Sequence, residues 1–204
     1  MALNLKSFIK RVLRYIFKKK IVIPEYEEKR CIILAHKNKY NPLIFIETGT
    51  FMGDTIQSLL NEFKFLYSIE LSEELAFRAQ ERFKQHHNVK IINGSSDTEL
   101  KSILKELAEP ALFWLDGHYS GEFMYNDEFV KTAKGTLNTP VVKELELILN
   151  SGIMHIILID DARLFNGTED YPTIRALKNM VKKGGIKRKL LVKRDIIRIL
   201  PASA

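Results

Sequence analysis

The sequence predicts an α/β fold, a mostly parallel seven-stranded sheet with helices on both faces and an antiparallel hairpin at the C-terminal end. Three observations carry this. Short apolar runs alternate with longer helix-like segments through most of the chain. The apolar runs are near-continuous, as in strands buried on both faces. The first run, from Ile44, closes on an acid, Glu47, and two glycines four residues apart, Gly49 and Gly53. That pattern reads as strand, tight turn and helix, with glycines where the backbone turns sharply or a ligand lies close.

The elements follow in order. Residues 21–43 contain a predicted helix, Glu27–Lys37, lying across one edge or over the ligand site. After the Ile44–Gly53 segment, Asp54-Thr55 opens a helical pattern through Leu60. Phe65–Glu70 is a second buried strand, and Ser72 caps a helix that runs to about Gln85, with acids in its first turn. Val89–Ile92 is the third strand, ending in Asn93-Gly94-Ser95-Ser96-Asp97; a helix follows to about Ala108 and Pro110 closes it. Ala111–Asp116 is the fourth strand. Gly117–Asn138 is polar and too long for a simple connection, the signature of a lid or binding loop. Thr139 as cap and Pro140 at the first helical position start the next helix, to about Asn150. His155–Asp161 is the fifth strand, Pro172–Lys183 a helix ending at Gly184-Gly185. Lys189–Val192 and Ile196–Ile199 form the terminal hairpin.

Length and composition set bounds. The 204 residues, 46% hydrophobic and 28% charged, suit one soluble globular domain, here 21–204, behind a separate segment, 1–20. Cys31 is the only cysteine, which excludes an internal disulfide or thiolate cluster and makes a reducing cytoplasm the default. No apolar stretch is long enough to span a bilayer, and no signal peptide is expected. The net charge of +7 resides in residues 1–20, which hold seven Lys and Arg and no acid; the remainder sums to zero. At helical spacing Leu5, Phe8, Ile9, Val12, Leu13, Ile16 and Phe17 oppose a basic face. Such a helix suits an anionic membrane surface or packs on the domain. Nucleic acid ranks third, because no aromatics are interleaved with the basic residues.

Two constellations carry chemistry. Glu47, Gly49, Gly53 and Glu70 place acids at the carboxyl ends of the first two strands, where such sheets bind ligands. A carboxylate before the turn repels a pyrophosphate and favours a nucleoside bearing a positive charge or free amine. The structural alternative is a turn with two surface acids. Asp116, Asp160 and Asp161 end strands four and five on the same rim. Their convergence calls for protons or a hard cation such as Mg²⁺ or Ca²⁺; the alternative is capping or loop-solvating acids. Adjacent strand residues point oppositely, so Asp160 and Asp161 cannot both be ligands unless the chain bends. His118, two residues beyond Asp116 and titrating near neutrality, is the candidate general base, or else a metal ligand or a loop histidine.

From about Pro42 onward the chain resembles class I S-adenosylmethionine-dependent methyltransferases. The resemblance implies that Glu47, Gly49 and Gly53 hold the methionine part, with Thr48, Thr50 and Thr55 beside them. Glu70 and the adjacent Leu71 would hold the ribose, and Ser95, Ser96 and Asp97 would face the adenine, with Asp116 at the reacting end. Thr50 stands where the family often has a further glycine. The second constellation resembles the metal-dependent O-methyltransferases of the catechol and macrocin types, where such aspartates hold Mg²⁺. Asp116-Gly117-His118-Tyr119 is close to the macrocin Asp-Gly-Asp-x-Tyr, with His118 replacing the second acid. The implied activity is metal-assisted O-methylation, with Asp116, Asp160 and Asp161 as metal ligands and His118 as base.

The implied partners are a small hydroxylated or glycan-linked acceptor, an anionic membrane at the inner face through residues 1–20, and a second copy in a homodimer. Two other function classes compete: a non-catalytic binding module on the same fold, and a nucleotide-dependent oxidoreductase. The latter needs a G-x-G-x-x-G turn, which the sequence lacks.

Overall fold

The computed structural model describes residues 22–202, so the basic segment expected at 1–20 lies outside the described residues. Six helices and nine strands follow in order: α1 (Tyr26–Tyr40), β1 (Ile44–Thr48), α2 (Asp54–Leu59), β2 (Phe65–Glu70), α3 (Glu73–Phe83), β3 (Val89–Asn93), α4 (Ser96–Glu106), β4 (Ala111–Leu115), β5 (Glu122–Tyr125), β6 (Glu128–Lys131), α5 (Val141–Leu149), β7 (Ile156–Ile159), α6 (Ile174–Lys183), β8 (Arg188–Lys193) and β9 (Ile196–Pro201). Seven strands form one sheet in the order β3-β2-β1-β4-β7-β9-β8. The first five are parallel, and β9 is antiparallel to both β7 and β8.

Side-chain parity divides the core into two layers. On one face Ile44 and Ile46 of β1, Ala111, Phe113 and Leu115 of β4, and Ile157 and Ile159 of β7 pack against α4, α5 and α6. On the other, Phe45, Leu112, Trp114, Ile156 and Leu158 pack against Ile33 of α1, Ile56 and Leu59 of α2, and Phe83 of α3. Both layers are filled because every central strand residue is buried, which is why these strands read as continuous apolar runs.

The register aligns the carboxyl ends. Thr48 is level with Ile69 and Leu115, and Leu115 with Ile159. The residues just past these positions share one rim. Ser72 caps α3 by accepting from the Leu75 N–H, as expected. α5 starts one residue late: Pro140 is the cap, and the Thr139 hydroxyl accepts from Val141 N–H.

Two differences from the sequence reading bear on the site. Gly117–Asn138 is not an irregular loop but carries the antiparallel pair β5–β6. Its turn residues, Asn126 and Asp127, both have positive φ (48° and 63°), the requirement of a type I′ hairpin. The expected Glu27–Lys37 helix extends to Tyr26–Tyr40 and covers a sheet face rather than an edge; only its first turns reach the rim, through Lys29.

Candidate active site

A cavity of about 280 Å³ opens at the rim between the ends of β1, β2, β3 and β4. Its floor includes Gly49, Glu70, Leu71, Gly94, Ser95, Ser96, Asp97 and Asp116, and its roof is the Gly117–Asn138 insert, including Tyr119, Phe123 and Thr132. No lysine or arginine lines it among the described residues.

Each wall is fixed locally. Gly49 adopts φ +87°, and a Cβ there would lie 2.8 Å from the Asp116 carbonyl oxygen, so only glycine lets the β1 turn pass beneath β4. Phe51 follows in the left-handed region (φ 50°), unusual for a bulky residue. Its N–H donates to Glu70 Oε2 (2.9 Å), its ring contacts Phe123 and Tyr125, and the Tyr125 hydroxyl donates to Asp54 Oδ2 (2.8 Å). The hairpin is thereby latched over the cavity, with Arg78 bonded to Glu128 as a second tie. Glu70 is anchored by two backbone donors, Phe51 and Ser72 N–H, which leaves lone pairs on each oxygen for a ligand hydroxyl.

Five residues expected around the cofactor do not line this cavity. Gly53 is needed because a Cβ would lie 2.6 Å from the Phe83 ring; it serves helix packing. Thr55 is in α2, where its carbonyl accepts from Ser58. Glu47, Thr48 and Thr50 are buried beneath the turn. Thr50 and Ser68 hydroxyls are 2.5 Å apart, and Ser68 donates to Glu47 Oε1 at 2.6 Å. Burial pushes the Glu47 carboxyl up to about 8, with the Asp116 and Glu70 charges adding to it.

The acids of strands four and five do converge, but not as three equal ligands. The backbone bends at Asp161, which has φ 55°. Asp116, His118 and Asp161 then offer ligand atoms within 4.8 Å of one another. His118 Nδ1 is 3.4 Å from Asp116 Oδ1, and Nε2 is 3.7 Å from Asp161 Oδ2. Burial alone would lower the His118 pKa; Asp116, Asp161 and Asp160 outweigh it and hold the imidazole above its ordinary value. Asp160 points to the other sheet face and is bound by Lys29 of α1. Burial and the Asp116 charge keep the Asp160 carboxyl raised despite that ammonium, while the surrounding acids raise Lys29 against its own burial. Arg163 donates to Asp161 (2.5 Å) and to Asp195 in the β8–β9 turn.

Three participants escaped the sequence reading. Lys29 lies 131 residues from Asp160 and carried no local signal. Asp195 is similar. Glu144 was findable: it sits with Val141, Leu145 and Ile148 on the apolar stripe of α5 and is buried. It accepts from Ser96 Oγ at 2.5 Å, joining α5 to the cavity wall, and burial pushes it up to about 7 against the Ser96 and Thr48 hydroxyls.

No family model matches this sequence, and no curated protein does. Solved structures match over nearly the whole chain. The SAH-bound methyltransferase PaMTH1 of Podospora anserina aligns at TM-score 0.59 and 17% identity, covering 100% of this chain and 98% of that one. The SAH complex of an O-methyltransferase from Bacillus cereus aligns at 0.56 and 14%, covering 98% and 92%. TomG, an O-methyltransferase of tomaymycin synthesis from Streptomyces achromogenes solved with SAM, aligns at 0.55 and 13%, covering 99% and 92%. The chain has the class I S-adenosylmethionine-dependent methyltransferase fold.

Proposed function

We propose that this protein transfers the methyl group of S-adenosylmethionine to an oxygen of a hydroxylated acceptor, small or glycan-linked, with a divalent cation held by Asp116, His118 and Asp161. The observation that carries the reading is the continuity of the two sites: Asp116 and His118 belong both to the cavity and to the acid cluster. The fold relation to methyltransferases bound to SAM or SAH supports the choice of cofactor.

The cavity chemistry fits a cationic nucleoside. Glu70, Asp97 and Asp116 line it without a basic side chain, which disfavours a dinucleotide pyrophosphate and hence the oxidoreductase alternative. Glu70 is positioned to accept from ribose hydroxyls, and Gly94 to Asp97 bound the opposite end. The bound cofactor supplies an electrophilic methyl on its sulfonium. Phe51 from the β1 turn, with Tyr119 and Phe123 of the roof, would shield that centre from water.

The cluster also fits a dication. Among the described residues Asp116, Asp160, Asp161 and Asp195 are balanced by two permanent cations, Lys29 and Arg163. Two negative charges remain; protonation of His118 removes one of them, and a divalent ion removes both. Oxygen donors with one imidazole suit Mg²⁺ or Mn²⁺. Such an ion would draw in an acceptor hydroxyl and lower its pKa. A second reading is metal-free: Asp116 orients His118, which takes the hydroxyl proton as general base. Its support is the raised pKa of His118.

Calorimetry with S-adenosylmethionine, NAD and Mg²⁺ tests the proposal. Adenosylmethionine and Mg²⁺ should bind, and NAD should not; absence of adenosylmethionine binding would sink the methyltransferase reading. Cation binding lost in Asp161→Gly, which keeps the bend and removes the donor, supports the metal arm, whereas activity that survives chelation supports His118 as base. We extend the proposal to location: residues 1–20 dock to an anionic inner membrane face, which equal liposome sedimentation with and without them would disprove.

A further inference from the structure

The neutral balance of residues 21–204 hides two opposite halves. Residues 21–173 hold 24 acids against 15 Lys and Arg; residues 174–204 hold ten Lys and Arg against Asp195 alone. The structure gathers this positive charge at one margin. α6 turns Leu177 and Val181 into the core and presents Lys178, Lys182 and Lys183 to solvent. Next to it, β8 is the edge strand of the sheet. Lys187 and Lys193 are exposed at its ends; Leu191 and Val192, each 47% exposed, flank this edge from opposite faces, with Val192 on the α6 side. Among the described residues these five lysines form no ion pair.

We propose that this margin, the outer side of α6 with β8, is a docking surface for the anionic lipid face of a membrane. Lysines on an edge strand also discourage pairing with a foreign sheet, which accounts for β8 but not for the helix beside it. Unpaired ammonium groups on both sides of an edge that carries one exposed aliphatic per face match an anionic bilayer met edge-on, where the charges meet headgroups and the edge aliphatics enter the boundary. The match to nucleic acid is poorer: residues 174–202 contain no aromatic for base stacking. The surface is also well placed. β8 runs up to the rim, where the next turn supplies Asp195 to Arg163 and so borders Asp161. A bilayer on this margin lies beside the acid cluster, suiting an acceptor carried on a lipid. The docking inference itself does not depend on the methyltransferase reading.

The test is co-sedimentation of the full chain with vesicles of phosphatidylglycerol and phosphatidylcholine, or of phosphatidylcholine alone. Wild type should partition only onto the anionic vesicles. Because each lysine near such a surface is worth roughly fivefold, Lys178→Ser/Lys182→Ser/Lys183→Ser should lower partitioning roughly a hundredfold. Leu191→Ser/Val192→Ser should lower it on the same vesicles. Residues 1–20 stay intact in every variant, and unchanged thermal melts confirm folding. The proposal is overturned if wild type ignores anionic vesicles or if both variants partition as wild type. It is equally overturned if the chain prefers RNA to the vesicles and loses that preference with the lysines.

Discussion

Glu47→Gln isolates the energetic consequence of burying a carboxyl beneath the turn that follows β1. Glu47 is 1% exposed and its Oε1 accepts from Ser68. Burial first, then Asp116 and Glu70, raises its pKa from 4.5 to about 8. Between those values the folded protein keeps a proton that the unfolded chain releases. The stabilisation is therefore complete below about pH 4.5 and is lost as pH rises to about 8. At 1.36 kcal/mol per unit, about 3 kcal/mol is gone by pH 7 and about 5 kcal/mol above pH 8. Glutamine is neutral throughout and its amide oxygen still accepts from Ser68, so the variant should not show this slope. Urea denaturation of the ligand-free protein across about pH 5 to about pH 9 measures both curves. Binding of a cationic cofactor should also drive the proton off Glu47 near neutrality. Wild type would then show buffer-dependent binding heats and the variant would not. Parallel pH–stability curves for the two proteins would refute the reasoning.

Three further outcomes are expected. Gly49→Ala places a Cβ 2.8 Å from the Asp116 carbonyl at φ +87°; strain of at least about 1–2 kcal/mol should lower Tm and weaken cofactor binding, and an unchanged melt counts against the turn geometry. His155 is buried, its Nδ1 accepts from Ala111 N–H, and burial followed by Arg188 lowers its pKa to about 4. Its contribution is present above about pH 6.5 and lost as pH falls towards 4, about 2 kcal/mol by pH 5; His155→Asn should remove that acid slope. Tyr125→Phe cuts the latch to Asp54, so amides of the β5–β6 hairpin should exchange faster and cofactor affinity should fall up to about tenfold; unaltered exchange would show that the latch does not hold the roof.

The fold was legible where burial alone decides structure. β1, β4 and β7 are buried along their whole length, so their apolar runs marked them regardless of context. The roof was less legible because β5 and β6 are short and half solvated: Met124 and Phe129 remain 63% exposed, and the outward Met124 stands between the inward Phe123 and Tyr125, so no polar alternation marks the strand. The Asn126-Asp127 pair was the available signal. At the rim, positions were readable but partners were not. Nothing local in Asp160-Asp161 reveals that Lys29 claims the first and Arg163 the second, since those pairings depend on how α1 and the β8–β9 turn arrive. Gly53 adds a reason that the motif did not reveal: the Phe83 ring behind it leaves no room for a Cβ.

The left-handed backbone at Asp161 narrows the substitutions that this site can accept. Apart from glycine, aspartate and asparagine enter that conformation with the least strain. Two of these three residues carry a side-chain oxygen within reach of a cation, and the third carries no side chain. An alanine or serine there would meet a backbone penalty in addition to losing the carboxylate that Arg163 binds. Activity measurements at Asp161 therefore need Asp161→Asn and Asp161→Gly as the paired references, because they separate the donor from the bend.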